Sequence, residues 1–205
     1  MSAISKHLFV RKDLLETTIC LSDIATLKNG YAFQSGMYNA LGKWKILTIS
    51  NVSGERYIND KDCNCIIKLP NDIQDHQVLK EGDILISRSG TIGKVTYATK
   101  DLAENYIVSD DLVRIRVKDA NLRAYLLAYF TSSTALALML LDEYGSVQQH
   151  LQPRHIQEML IPVPDDWSLA QDMIDAGNMF IKAMEDMSKA DRKIRTQGFD
   201  ALIAE

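Results

Sequence analysis

The chain has 205 residues, 46% of them hydrophobic and 24% charged, the balance of a globular protein with room for a core of its own. A formal net charge of −4 and an isoelectric point of about 5.6 argue against a protein that coats nucleic acid by bulk electrostatics, so any such contact must be a local basic face. No stretch approaches the roughly 18 apolar residues of a membrane span, and "MSAISKHLFVRKDLLETT" lacks the apolar core of a secretory leader, so a cytoplasmic location is expected.

In chain order, "LLETTICLSDIATLKNG" pairs an amphipathic pattern with a cap-like Ser22-Asp23, which predicts a first helix breaking near Asn29-Gly30. In the aromatic and polar segment "GYAFQSGMYNALGKWK", Phe33 and Trp44 are expected in the core. Lys43 and Lys45 bracket Trp44 on an extended stretch, share one side, and are candidate phosphate contacts. Cys20, Cys63 and Cys65 read as reduced thiols, because the one-residue spacing of Cys63 and Cys65 is rare in zinc sites. "WKILTISNV", "CNCIIKL", "DILISRSG", "KVTYA" and "NYIVSDDLVRIRV" are short runs rich in Ile, Val, Thr and Tyr, separated by Gly, Asn and Asp. They predict a mostly antiparallel sheet.

The stretch "ISRSGTIGKV" looks like a damaged phosphate-binding loop. Arg88 stands where the first glycine of that motif belongs and Val95 where its Ser/Thr belongs, and "KVTYA" continues as a strand rather than a helix. A hairpin with Gly90 and Gly93 at positive φ is therefore expected. Arg88, Ser89, Thr91 and Lys94 would then lie at an exposed tip within reach of a phosphate or base edge.

From Asn121 the apolar residues recur at helical spacing, with a break expected around Ser132-Ser133 and a stop at Gly145. "GSVQQHLQPRHIQEMLIPVP" follows, with a short helix after Pro153 and an extended exit at Ile161–Pro164. Gln148, Gln149, His150 and Arg154 are candidate DNA contacts, since Gln and Arg suit bidentate pairing with adenine and guanine edges. A domain boundary is drawn at residue 164. In residues 165–205, Leu169, Met173, Ala176, Phe180, Ala183, Met187, Ala190 and Ile194 alternate by four and three. That is a heptad seam on a helix expected from Ser168 to Ala204, roughly 55 Å long at about 1.5 Å per residue. Detached by the prolines, such a helix needs a partner, and a second copy related by a two-fold axis would satisfy it.

Enzyme chemistry finds little footing. The four prolines are never adjacent, as an amino-methyltransferase loop would require, and the histidines show no ligand spacing, so no catalytic residue, metal or cofactor is expected. Pro164-Asp165 with Asp191-Arg192-Lys193 superficially matches a metal-dependent nuclease, but the second half falls on the heptad helix.

The order "LSDIATLKNGYAF", "WKILTISNVSG", "LKEGDILISRSGTIGKV", "YIVSDDLVRIRV", "AYLLAYFTSS" and "GSVQQHLQPRHIQEMLIPVP", followed by a heptad helix, resembles the DNA specificity subunit of type I restriction-modification systems, over nearly the whole chain from Leu21. The resemblance implies an α+β target recognition domain, residues 1–164, with a mixed and mostly antiparallel sheet and several helices. A long coiled-coil-forming spacer helix, residues 165–205, would follow. Family members look like two such units in tandem, whereas this chain has no internal repeat and accommodates one, as a half-subunit would. The implied partners are double-stranded DNA, a methyltransferase subunit and a restriction-translocase subunit, and the implied role is non-catalytic. The competing expectation is an assembly protein that uses its helix without binding DNA.

Overall fold

The computed structural model describes residues 18–52, 57–102, 105–141, 151–164 and 167–197. Thr18–Cys20 (β1) leads into one helical turn, Leu21–Ile24 (α1), and then into Thr26–Asn29 (β2). The first helix expected from the sequence is thus confined to α1. Leu27 is buried by pairing with Ile115 across a sheet, and that pairing overrides the local helical pattern.

Trp44–Leu47 (β3), Asn64–Ile66 (β4), Ile84–Ser87 (β5), Val95–Tyr97 (β6), Tyr106–Val108 (β7) and Leu112–Arg116 (β8) fall in the runs the sequence marks as strands. They form a four-stranded antiparallel sheet in the order β2-β8-β5-β6 and a three-stranded sheet in the order β4-β3-β7, in which β3 and β7 run parallel. Strand alternation assigns the faces. Ile84, Ile86, Val113, Ile115, Val95 and Tyr97 join the main core, while Leu85, Leu112 and Ala98 meet Leu47, Tyr106 and Val108 of the small sheet. The larger sheet is therefore a middle layer, which is why all four residues of β5 are buried. Asp83, just before β5, is fully buried and held by Arg116 through Nε and Nη2 at 2.7 Å each, with Arg114 Nη1 at 3.4 Å.

The helices cover the other face of that sheet. Ala120–Phe130 (α2) is capped by Asp119, whose Oδ1 accepts from Leu122 N at 2.7 Å. Ser133–Leu141 (α3) begins where the break is expected, with Ser132 Oγ accepting from Ala135 N at 3.2 Å. Pro153–Gln157 (α4) precedes Leu160–Pro162 (β9), which pairs antiparallel with β1.

After a 3-10 turn at Trp167–Ala170, Gln171–Gln197 (α5) forms the long helix. It is not detached from the domain. It packs along α2, and Tyr125 of α2 also donates to the Pro162 carbonyl, so the proline exit is held against the same helix. The buried stripe of α5 is Ile174, Gly177, Met184 and Ser188, continuing from Ala170 of the preceding turn and lying one residue away from the expected seam. Gly177, which propensity alone marks as a weak point, is the place of closest approach: a Cβ there would lie 1.9 Å from the Ala124 carbonyl oxygen. Gly177→Ala should therefore destabilise the fold by about 1–3 kcal/mol in urea unfolding, despite the ~1 kcal/mol that alanine adds to an isolated helix.

Candidate nucleic-acid interface

The loop between β5 and β6 is the expected hairpin, with Ile84 opposite Tyr97 and Ile86 opposite Val95. Gly90 and Gly93 take φ of 64° and 76°, a region that side chains with a Cβ disfavour. Ser87 ties the loop together: its backbone N donates to Lys94 O at 2.9 Å, and its Oγ accepts from Lys94 N at 2.8 Å.

The loop does not project. A Cβ on Gly93 would fall 2.5 Å from Leu136 Cδ1, so α3 lies directly against it. Arg88 and Lys94 are half-buried while Thr91 is exposed. The Arg88 guanidinium is committed to the fold, donating to the carbonyls of Asp110 at 3.0 Å and Leu151 at 3.3 Å, and its own carbonyl accepts from Leu151 N at 2.8 Å. Ser89 Oγ and Asp111 Oδ1 are 2.9 Å apart.

Arg88 thereby gathers three segments distant in sequence: the β5–β6 loop, the Ser109–Asp111 turn between β7 and β8, and the chain at Leu151. Gln148, Gln149 and His150, which immediately precede Leu151, lie outside the described residues. Gly30 closes the same rim from β2, because a Cβ there would meet the Ser109 carbonyl oxygen at 2.1 Å. Sequence reasoning missed the turn and the Leu151 anchor. Asp110 and Asp111 register in the sequence only as punctuation between strands, and nothing local marks Leu151 as a partner of Arg88. The two carboxylates also offset the charge of Arg88 and Lys94 at this rim.

The remaining candidates lie elsewhere. Arg154 is exposed and paired with Glu158 at 2.7 Å. Lys43 is exposed, its ammonium 5.9 Å from the Trp44 ring centroid, while Trp44 and Phe33 pack on the small core as expected. Lys45 turns inward to Asp60 Oδ2 at 2.8 Å and sits 5.4 Å from the Tyr106 ring centroid. Cys63, near this group, has its thiol pushed up to about 12 by burial and by the Asp60 charge, so it stays protonated.

Asp60 also receives Tyr106 OH and Arg195 Nη2, the latter at 2.9 Å from Oδ1, which fastens the last turns of α5 to the small sheet. Burial pushes the Asp60 carboxyl up, but the hydrogen bonds from Lys45, Tyr106 and Arg195 outweigh it and hold the group well below the usual carboxylate range. Arg192 adds a bond to the Asp101 carbonyl. Asp191, half of the nuclease-like match, has its Oδ2 2.8 Å from Arg195 Nη2 on the same helix, and Asp165 lies outside the described residues.

The family described as the type I restriction modification DNA specificity domain matches residues 16–174. The chain belongs to that family. Among solved structures, a chain from a study of complex assembly and conformational transition of the type I R-M system aligns with a TM-score of 0.59 at 16% identity. The alignment covers 86% of this chain and 40% of that one. The S subunit of a type I system from M. genitalium aligns at 0.55 and 14% identity, covering 87% and 43%. The HsdS subunit from Thermoanaerobacter tengcongensis aligns at 0.56 and 15%, covering 86% and 43%. At these identities the likeness speaks for the shared fold, and this chain spans less than half the length of each. Comparison with curated protein sequences gives no match. Among the described residues no helix is long and apolar enough to cross a membrane.

For this specificity domain, Arg88→Ala should lower stability by about 1–3 kcal/mol, because the carbonyls it satisfies lose a donor; a fall in DNA binding for that variant must therefore be read beside its melting temperature. Asp60→Asn tests the anchor of α5. A carboxyl depressed in the folded state contributes stability that is present above its unfolded pKa of about 3.9 and is lost as pH falls through the folded value. The variant should melt below wild type at neutral pH, and the gap should narrow as the pH of the calorimetric scan is lowered below about 4.

Proposed function

We propose that this chain is a sequence-specific DNA-recognition subunit of a type I restriction-modification system, acting in the cytoplasm. Residues 1–164 read one half of a bipartite site, and residues 165–205 form the spacer helix. The chain is non-catalytic and docks a methyltransferase subunit, through which a restriction-translocase subunit is also engaged. The observation that carries this reading is the family match across residues 16–174, which spans the recognition fold and runs into α5. The polar rim gathered by Arg88, with Ser89, Thr91 and Lys94, supports it, since Arg88 there holds the chain at Leu151 to the β5–β6 loop.

The helix supports pairing with a second copy. With one stripe of α5 spent on α2, the neighbouring expected seam remains free over much of its length: Met173 is 49% exposed, Met187 42% and Ile194 63%, with Ala183 and Ala190 exposed between them. Ala176 and Phe180 are half-buried, and the Leu169 side chain lies outside the described residues. A heptad stripe with small residues at alternate positions is suited to close approach by another helix, and two copies would set a fixed distance between two half-sites.

The test is co-expression with the methyltransferase subunit and mapping of modified adenines across the host DNA. A split, near-palindromic methylated motif is expected. Met187→Glu with Ile194→Glu, both on exposed positions, should leave the far-UV circular dichroism unchanged, convert a dimer to a monomer in light scattering and abolish that motif. A stable complex that methylates nothing would instead favour the assembly role, which the offsetting charges of Asp110 and Asp111 make the natural competitor.

A further inference from the structure

At the Arg88 rim the formal charges of Arg88 and Lys94 are matched by Asp110 and Asp111, which leaves room for a second source of phosphate-facing charge. The segment between Gly30 and β3 offers one. Asn39, Ala40, Leu41 and Gly42 form a turn fixed by Asn39 from three sides. Its backbone N donates to Cys65 O at 2.8 Å, its carbonyl accepts from Gly42 N at 2.9 Å, and its Oδ1 accepts from Leu41 N at 2.9 Å. Gly42 lies flat on β4, where a Cβ would come within 2.4 Å of the Ile66 backbone. The turn is a built feature.

What it presents is Leu41, 91% exposed; Ile67, which follows the Ile66 backbone that Gly42 lies against, is 58% exposed. Single exposed apolar residues are ordinary, but here Met37 and Tyr38 are exposed on the same loop and Ile67 is exposed just past β4. Lysines flank it. Lys43 directly follows Gly42, and Lys68 stands two residues beyond Ile66, the residue whose backbone Gly42 lies against. Lys43 and Lys68 are both exposed, and among the described residues neither has a carboxylate partner. An apolar tip between unpaired cations fits a surface that is polyanionic outside and apolar within, which is the character of a DNA groove bordered by phosphates.

We propose that the Asn39–Gly42 turn is a wedge that inserts Leu41 between base pairs of duplex DNA while Lys43 and Lys68 hold the flanking phosphates. The inference rests on the DNA-recognition reading and adds to it a contact that distorts the helix. Apolar side chains that enter a groove in this way partly unstack a base step and bend the duplex.

The experiment uses the full chain and a duplex recovered by selection from a random pool, with 2-aminopurine substituted at successive positions. Wild type should raise the fluorescence of the probe at one step. Leu41→Ala should bind roughly tenfold more weakly, because the shorter side chain buries less apolar surface against the bases, and should not raise it, whereas Leu41→Met should do both nearly as well as wild type. Lys43→Gln with Lys68→Gln should reduce the slope of log affinity against log salt by about 2, at ~0.9 per phosphate contact, with melting temperatures unchanged. Unchanged binding and fluorescence in Leu41→Ala, with wild type active, would overturn the wedge and leave the recognition reading standing. Loss of methyltransferase-subunit co-purification in Leu41→Ala with DNA binding intact would overturn it too, and would make the turn a protein-docking tip. Failure of wild type to enrich any duplex would remove the recognition reading itself, and the wedge with it.

Discussion

The approach of α5 to α2 at Gly177 is the constraint on which the rest of the arrangement depends. Two helices come this close only where one lacks a side chain, and the backbone of Ala124 occupies the volume that a Cβ would need. Once the helices meet there, the rotation of α5 about its axis is fixed. Ile174 and Met184 must enter the main core, Arg192 and Arg195 must arrive beside Asp101 and Asp60, and Met173, Met187 and Ile194 must be left outside. One missing methyl group thus decides which apolar stripe of a long helix is structural and which is available to a partner.

Buried charge organises the two ends of the domain in a complementary way. Asp83 binds Arg116 and Arg114 within the sheet, a fully desolvated group whose geometry is satisfied by its own neighbours and which has no reach to solvent. Asp60 does something different. It collects Lys45 from β3, Tyr106 from β7 and Arg195 from α5, so the small sheet and the end of the long helix share one anion. A displacement of the helix end therefore costs hydrogen bonds in the small sheet, and the proposed recognition and spacer parts are mechanically joined by that carboxylate. The same commitment removes Lys45 from the cations free to meet a phosphate, and the Asp110 and Leu151 carbonyls occupy Arg88 in the same manner. Lys43 and Lys68 are left with their charge unspent.

Much of the fold was legible in the sequence because local patterns were strong. β-Branched runs bounded by Gly and Asn locate β3 through β8, Gly90 and Gly93 mark the hairpin, and Ser132 marks the break between α2 and α3. The first helix was misjudged because the pattern around Leu27 is compatible with both periods over so short a span, and pairing with Ile115 is a long-range fact. The candidate interface was legible only as residue types. That Arg88 and Lys45 are tied up internally depends on Leu151 and Asp60, residues 63 and 15 positions away along the chain, and no window of sequence contains that information.

The long helix separates the two sources of information most clearly. Spacing by four and three was present in the letters, and it required a helix with an apolar seam. Yet the stripe of Ile174, Gly177, Ile181, Met184 and Ser188 has the same spacing as the stripe from Met173 through Ala176, Phe180, Ala183, Met187, Ala190 and Ile194, turned by one residue around the axis. A period cannot choose its own phase. The choice was made by tertiary structure, because only the Gly177 side allows the backbone of α5 to approach α2, and a packed interior accepts the stripe that fits and leaves the other to solvent.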